Sequence, residues 1–361
     1  AAMAAESYYR LINKIVVLNV TTGPGGINAL NGVYGAYTDS LSMLVVSGQV
    51  KNETYLKNYK TNLRQLGDQE VDIVSMVKPI TKYAVTVKDP REIKDIMDKA
   101  IYFLTNGRPG PVWIDVPIDV QGSLIDPNEL KGFDGNIKKL VNDPGVTGNT
   151  KLELTTKSNL NDKTFDIIFE KLKKSSRPVI LAGTGVSISK MSKQFLGLIR
   201  KLKIPVVTGW NAHDLISNDN EYYAGKPGTV GDRPGNFTVQ NSDLLIVLGC
   251  RLNIRQISYN WKAFAPKAFK IMIDIDQAEL DKPTLKIDHK IKADLKTFIP
   301  LFIQKIQDLS YTSSKDHKKY LMWCKERVIE YPVMLPEYIN TKNKKINPYA
   351  FTDELFNLLD K

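Results

Sequence analysis

The sequence predicts an α/β protein: two consecutive open parallel-sheet domains with helices on both faces, followed by a helical C-terminal connector. Three observations carry this prediction. Runs such as IVVLNV, PVWIDVP, RPVILAG and DLLIVLG are apolar at nearly every position, as strands buried on both faces are. Amphipathic helical patterns alternate with those runs, as parallel strands require crossover helices. The alternation stops over residues 121–158, where Gly, Asn, Asp and Thr dominate, and then starts again.

The totals agree with that plan. A chain of 361 residues exceeds one ordinary core and calls for two or three domains. Hydrophobic residues at 42% and charged residues at 25% are a globular composition. No run approaches the roughly 18 apolar residues of a membrane span. The opening AAMAAESYYR has neither the basic region nor the apolar core of a signal peptide. Cys250 and Cys324 are too few and too far apart for a disulfide scaffold, so reduced thiols and a cytoplasmic location are expected. His213, His289 and His317 lack the spacing of a zinc site. The net charge of +11 does not predict nucleic-acid binding. The lysines are spread over helical patterns such as KLKKSSR, without interleaved stacking aromatics.

The first domain is expected over residues 1–120. Ala1 to Arg10 reads as a helix of good formers without a capping residue. The strand Ile15 to Val20 leads into Thr21-Thr22-Gly23-Pro24-Gly25-Gly26, then into a helix from Ile27 to Tyr37 and the strand SMLVVSG. A helix is expected over Gln69 to Val77 with Asp68 as its cap. Another opens at Asp89, with Pro90 at its first position and Glu92 at its third, and closes at Asn106-Gly107. The strand PVWIDVP ends the domain. A linker over 121–158 precedes a second domain over 159–307. Its elements are helix TFDIIFEKLKK, strand RPVILAG, helix SKQFLGLIRKL, strands IPVVTG, DLLIVLG and FKIMIDID, and helix ADLKTFIPLFIQKIQ. From Asp308 the chain is lysine- and tyrosine-rich and helical, a connector without a core of its own. The final NPYAFTDELFNLLDK reads as a capped helix, and both ends read as cuts from a longer chain.

In this order, TTGPGGINALNGVYGAYTDS with LVVSGQV, then GRPGPVWIDVPIDV, VQNSDLLIVLGCRL, and KIMIDIDQAEL with IKADL resemble the thiamine-diphosphate enzymes of the acetolactate-synthase-like branch. The first two stretches resemble their pyrimidine-binding domain and the rest their middle domain. The resemblance implies an enzyme that decarboxylates a 2-keto acid and passes the resulting carbanion to a carbonyl acceptor, with the cofactor as electron sink. It implies that Gly23, Pro24, Gly25 and Asn28 seat the pyrimidine side of thiamine diphosphate. Glycine lets an aromatic ring approach the backbone, and proline offers it a rigid apolar face without an amide proton. Diphosphate binding belongs in this family to a different, C-terminal domain. Gln69 matches the catalytic glutamine that reaches the reacting carbon, where a neutral amide can hydrogen-bond a developing alkoxide. Acetolactate-forming members usually carry phenylalanine before it; this chain has Asp68. Lys82 also falls at a common family position, but a solvated lysine at a strand end is the expectation.

The resemblance leaves two readings of the middle domain open. In one, Arg108, Gly183, Gly185, Arg251, Asp274 and Asp276 fall where flavin-containing members hold FAD. In the other, the domain is structural. GTVGDRPGNF in place of the family's second glycine loop, Trp210 where a small residue is usual, and Asn253-Ile254 in place of two aspartates favour the second. The family's catalytic glutamate precedes the segment matched by Ala1, and its magnesium and diphosphate ligands lie in a third domain, so no metal ligand is expected here. The fragment alone is expected to be inactive, and the full-length parent to be a homodimer or homotetramer. Kept open beside this reading are a specialised carboligase or decarboxylase of sugar or surface-polysaccharide metabolism and a non-catalytic binding module of the same fold.

Overall fold

Val16–Val20 (β1) and Met43–Gln49 (β2) pair in parallel, with Val17 opposite Leu44. Tyr83–Thr86 (β3) and Val112–Pro117 (β4) complete a four-stranded parallel sheet in the order β1-β2-β4-β3. The strands are buried on both faces: Met43 and Val45 pack in one apolar cluster with Trp113, while Leu44 packs in the other with Ile114. This is a computed structural model; it describes residues 1–148, 150, 160–339 and 345–359. The chain divides into two compact units, Ala1–Lys157 and Ser158–Lys361.

In the first unit the longer helices are Ala2–Ile12, Pro24–Thr38, Ile73–Val77 and Ile93–Thr105, and Ile118–Gln121 and Ile137–Leu140 form single turns. Two departures from the expected boundaries matter for the site. The helix after β1 starts at Pro24, because proline's fixed φ suits the first helical position. The helix expected from Gln69 starts instead at Ile73, and Asp72, not Asp68, caps it by accepting from Ser75 N. Gln69 has φ 58°, a left-handed conformation that no right-handed helix can include. The strand β3 was not expected, since only four residues form it.

Much of the stretch expected as a linker packs with the first unit. Leu140 is fully buried beside Tyr83 and Ile114, and the Thr147 hydroxyl donates to Thr81 O at 2.5 Å. Residues 149 and 151–159 lie outside the described residues.

The second unit is a five-stranded parallel sheet: Pro178–Ala182 (β5), Val206–Thr208 (β6), Leu244–Leu248 (β7), Phe269–Asp274 (β8) and His289–Lys292 (β9). The order is β6-β5-β7-β8-β9. Successive residues of β5 enter different cores, Ile180 and Ala182 on one face, Val179 and Leu181 on the other. The helix Lys315–Glu330, from the expected connector, is docked on this unit. Tyr320 Oη donates to Thr238 O at 2.6 Å, and Cys324 is fully buried. The helix Pro348–Leu358 has no buried residue. Among the described residues no helix is long and apolar enough to cross a membrane.

Candidate functional site

In the first unit the C-terminal ends of the strands gather the polar residues, which is where open α/β sheets bind ligands. After β1 the chain turns at Gly23, whose φ of 56° suits glycine and whose amide precedes a helix with no side-chain cap. A Cβ on Gly23 would stand 2.0 Å from Gln69 O, so the turn lies directly against the loop that carries Gln69. Gly25 and Gly26 are also close to their neighbours, though less so. A Cβ on them would meet Thr21 Cγ2 at 2.7 Å and Ile73 Cδ1 at 3.2 Å. Pro24 and Asn28, one helical turn apart, are both exposed on the same face. Gln69 is exposed as well. The structure thus brings the Gly23 turn against the Gln69 loop, with Pro24, Gly25 and Asn28 on the helix that follows the turn.

The Gln69 loop is tied down by two carboxylates. Glu70 accepts from Leu56 N at 3.0 Å, Gly67 N at 3.2 Å and Leu66 N at 3.2 Å. Asp72 accepts from Lys57 Nζ at 2.9 Å and from Ser75. Burial works against its ionisation, but hydrogen bonds from Lys57 and Ser75 hold its carboxyl below the ordinary value.

Beneath the turn lies a buried polar chain that sequence reasoning missed. Trp113 Nε1 donates to Ser47 Oγ at 2.8 Å, and Ser47 Oγ donates to Asp115 Oδ1 at 2.5 Å. Asp115 Oδ2 accepts from Gln49 Nε2 at 3.1 Å and Thr86 Oγ1 at 3.3 Å. Gln49 continues the chain: its amide also donates to Val71 O at 3.0 Å, and its carbonyl accepts from Thr22 Oγ1 at 3.1 Å and Val50 N at 3.0 Å. Burial pushes the Asp115 carboxyl up to about 6, against the hydrogen bonds from Ser47, Gln49 and Thr86 that favour its charge. The available signal was a lone carboxylate in the apolar run PVWIDVP and an amide ending SMLVVSGQ.

Lys82 and Arg108 precede β3 and β4, at the N-terminal end of the strands, opposite the turn. Lys82 is not a solvated lysine: its Nζ donates to Phe103 O at 2.5 Å, Asn106 O at 2.8 Å and Arg108 O at 2.8 Å. Burial, with the nearby Arg108 charge, lowers its pKa to about 8. Arg108 Nε donates to Ser40 Oγ at 2.8 Å.

In the second unit the chain reverses its strand order between β5 and β7, and Gly183 and Gly249 end those strands. The two turns press backbone on backbone. A Cβ on Gly183 would meet Gly249 O at 2.3 Å, and one on Gly185 would meet Gly249 Cα at 2.8 Å. Asp274 Oδ1 accepts from Asp276 N at 2.9 Å, and Asp276 caps the next helical turn through Ala278 N at 2.9 Å. The main-chain carbonyl of Arg251 accepts from Lys282 Nζ. Asn253 is a cap, accepting from Gln256 N at 3.0 Å. In the GTVGDRPGNF loop Asp232 accepts from Gly235 N at 2.7 Å and Asn236 bonds Gly228 in both directions. Arg255 lies 5.4 Å over the Trp210 ring. Packing between turns accounts for these glycines, and the polar side chains that replace the family pattern serve local caps. Among the described residues no three His, Cys, Asp or Glu side chains converge as metal ligands would.

Comparison with known proteins identifies the two domains. Residues 1–76 match the family model of the thiamine pyrophosphate enzyme N-terminal TPP binding domain, and residues 165–302 that of the thiamine pyrophosphate enzyme central domain. A probable acetolactate synthase large subunit of Methanocaldococcus jannaschii is 32% identical over 364 residues, covering 100% of this chain and 56% of that protein. The acetolactate synthase large subunit of Lactococcus lactis subsp. lactis is 33% identical over 304 residues, 84% of this chain and 48% of its own length. That of Porphyra purpurea is 30% identical over 348 residues, 96% and 54% respectively. The chain spans about half the length of the curated relatives it matches.

Proposed function

We propose, from the premise that this chain belongs to the thiamine pyrophosphate enzymes and carries their N-terminal and central domains, that it is part of an acetolactate-synthase-like enzyme. The observation that carries the reading is the meeting of the Gly23 turn with the Gln69 loop, with Pro24 and Asn28 exposed beside it. That surface fits the flat pyrimidine end of thiamine diphosphate. The cofactor, when bound, supplies the electron sink for decarboxylating a 2-keto acid.

The chain's own residues do the rest. Pro24 offers a rigid apolar contact, Asn28 orients the ring edge, and the Gln69 amide donates to oxygen on the substrate as negative charge develops there. Magnesium and diphosphate ligands are assigned to a third domain that the family resemblance implies. The central domain is assigned a structural role without flavin, and the whole protein a cytoplasmic location and a homodimeric or homotetrameric state. The test is to incubate the natural full-length protein with pyruvate, thiamine diphosphate and magnesium and to assay acetolactate. Cofactor-dependent acetolactate supports the reading; a protein that binds the cofactor but leaves pyruvate unchanged overturns the acetolactate assignment.

A further inference from the structure

The Gln49 side chain bonds at once to the glycine turn, to the Gln69 loop and to the sheet. Its carbonyl takes the Thr22 hydroxyl, and its amide reaches Val71 O and Asp115 Oδ2. Gln49 is 4% exposed and Asp115 0%, so both lie beneath the surface of the site. The polarity of the contact is set by groups that cannot reverse. Val50 N can only donate, so the Gln49 oxygen must face it; Val71 O can only accept, so the Gln49 nitrogen must face that. Asp115 must therefore present an acceptor toward Gln49.

We propose that Gln49 and Asp115 are a positioning pair that sets the spacing between the Gly23 turn and the Gln69 loop, and through it the seat of the cofactor's pyrimidine ring. This rests on the functional reading above. Gly23 and Gln69 are in backbone contact already, so a change at Gln49 moves the two halves of the seat relative to each other rather than loosening a free loop.

The test is a polarity swap in the natural full-length protein, read by thiamine diphosphate affinity in the presence of magnesium and by melting temperature. Gln49→Glu sets a carboxylate oxygen against Val71 O and Asp115. Asp115→Asn replaces a charged acceptor by a neutral amide, whose nitrogen must face either Gln49 Nε2 or one of the Ser47 and Thr86 hydroxyls that now donate. Each single change is expected to weaken cofactor affinity about tenfold or more, the scale of a lost hydrogen bond to a charged group. The double variant restores one donor and one acceptor between positions 49 and 115 but leaves an oxygen facing Val71 O, so it recovers part of the lost affinity and binds more tightly than either single variant. Thr22→Val, at a half-exposed site, removes only the hydroxyl bond; it is expected to weaken affinity about threefold with an unchanged melting temperature. Single variants that bind as wild type does, or a double variant that recovers melting temperature without affinity, overturn the proposal alone. A wild-type protein that fails to bind thiamine diphosphate overturns the functional reading and this proposal together.

Discussion

The Cα of Gly23 lies against the main-chain carbonyl of Gln69, close enough that a Cβ there would stand 2.0 Å from that oxygen. Gly23→Ala therefore meets backbone that cannot swing aside. It is expected to cost at least about 2 kcal/mol and to weaken thiamine diphosphate binding. Gly107→Ala is the control: φ is 67°, but nothing lies within 4 Å. It carries only the left-handed cost of about 1 kcal/mol. Urea unfolding of both variants separates the collision from the dihedral; equal losses would sink the idea that the turn is pressed on the loop.

Asp115 makes stability depend on pH in a stated direction. Its carboxyl is raised from 3.8 to about 6, so between those values the folded protein holds a proton that the unfolded chain has released. Stability from this group is thus greatest below that window and falls as pH rises through it, by up to about 3 kcal/mol. Asp115→Asn removes the titration. The stability of wild type relative to this variant should decline from pH 4 to pH 7 in urea titrations, and a flat difference contradicts the assignment.

Lys82 acts in the alkaline range. Its folded pKa is lowered from 10.5 to about 8, so across that interval the unfolded chain keeps a proton that the folded one has lost. Wild type should gain stability relative to Lys82→Met as pH rises from 8 to 10. At pH 7 the variant should be weaker by about 2 kcal/mol, having left three carbonyl groups without their shared donor.

Glu70→Gln tests the loop by itself. The carboxylate now accepts from three main-chain amides, and a glutamine would turn one donor toward another. Amide hydrogen exchange should quicken at Leu56, Leu66 and Gly67, while the helix Ile93–Thr105 keeps its protection. Uniform acceleration would mean that Glu70 supports the whole unit.

In the second unit two glycines predict opposite signs. A Cβ at Gly183 meets Gly249 O at 2.3 Å, so Gly183→Ala should destabilise by roughly 3 kcal/mol. Gly197 is inside the helix Ser192–Leu202 with nothing within 4 Å, and Gly197→Ala should stabilise by about 1 kcal/mol. Thermal melts of the two variants decide; a Gly183→Ala protein as stable as wild type would reopen that crevice to a ligand.

The parallel sheets were legible because β2, β4, β5 and β7 are apolar at nearly every position, and only burial on both faces explains that. The turn at Gly23 was legible for a similar reason: few uses other than close approach suit glycine at 23, 25 and 26. The strands β3 and β9 escaped because four residues carry too little periodicity. The helix boundary near Gln69 escaped because Asp68 and Asp72 are equally good caps in sequence. Only the left-handed φ of Gln69 decides between them. Lys82 misled because a lysine's burial depends on three carbonyls brought to it by Phe103, Asn106 and Arg108. The Gln49–Asp115 contact joins residues 66 positions apart, beyond the reach of any local pattern.

Gln69 sits at a dihedral that glycine would occupy more comfortably by about 1 kcal/mol. A campaign to raise thermal tolerance, ranking substitutions by melting point, would therefore promote Gln69→Gly. It would be selecting against the one side chain proposed to meet the substrate. For this protein a more robust fold and a working catalyst are competing objectives at position 69, and a screen for either alone will choose a different residue.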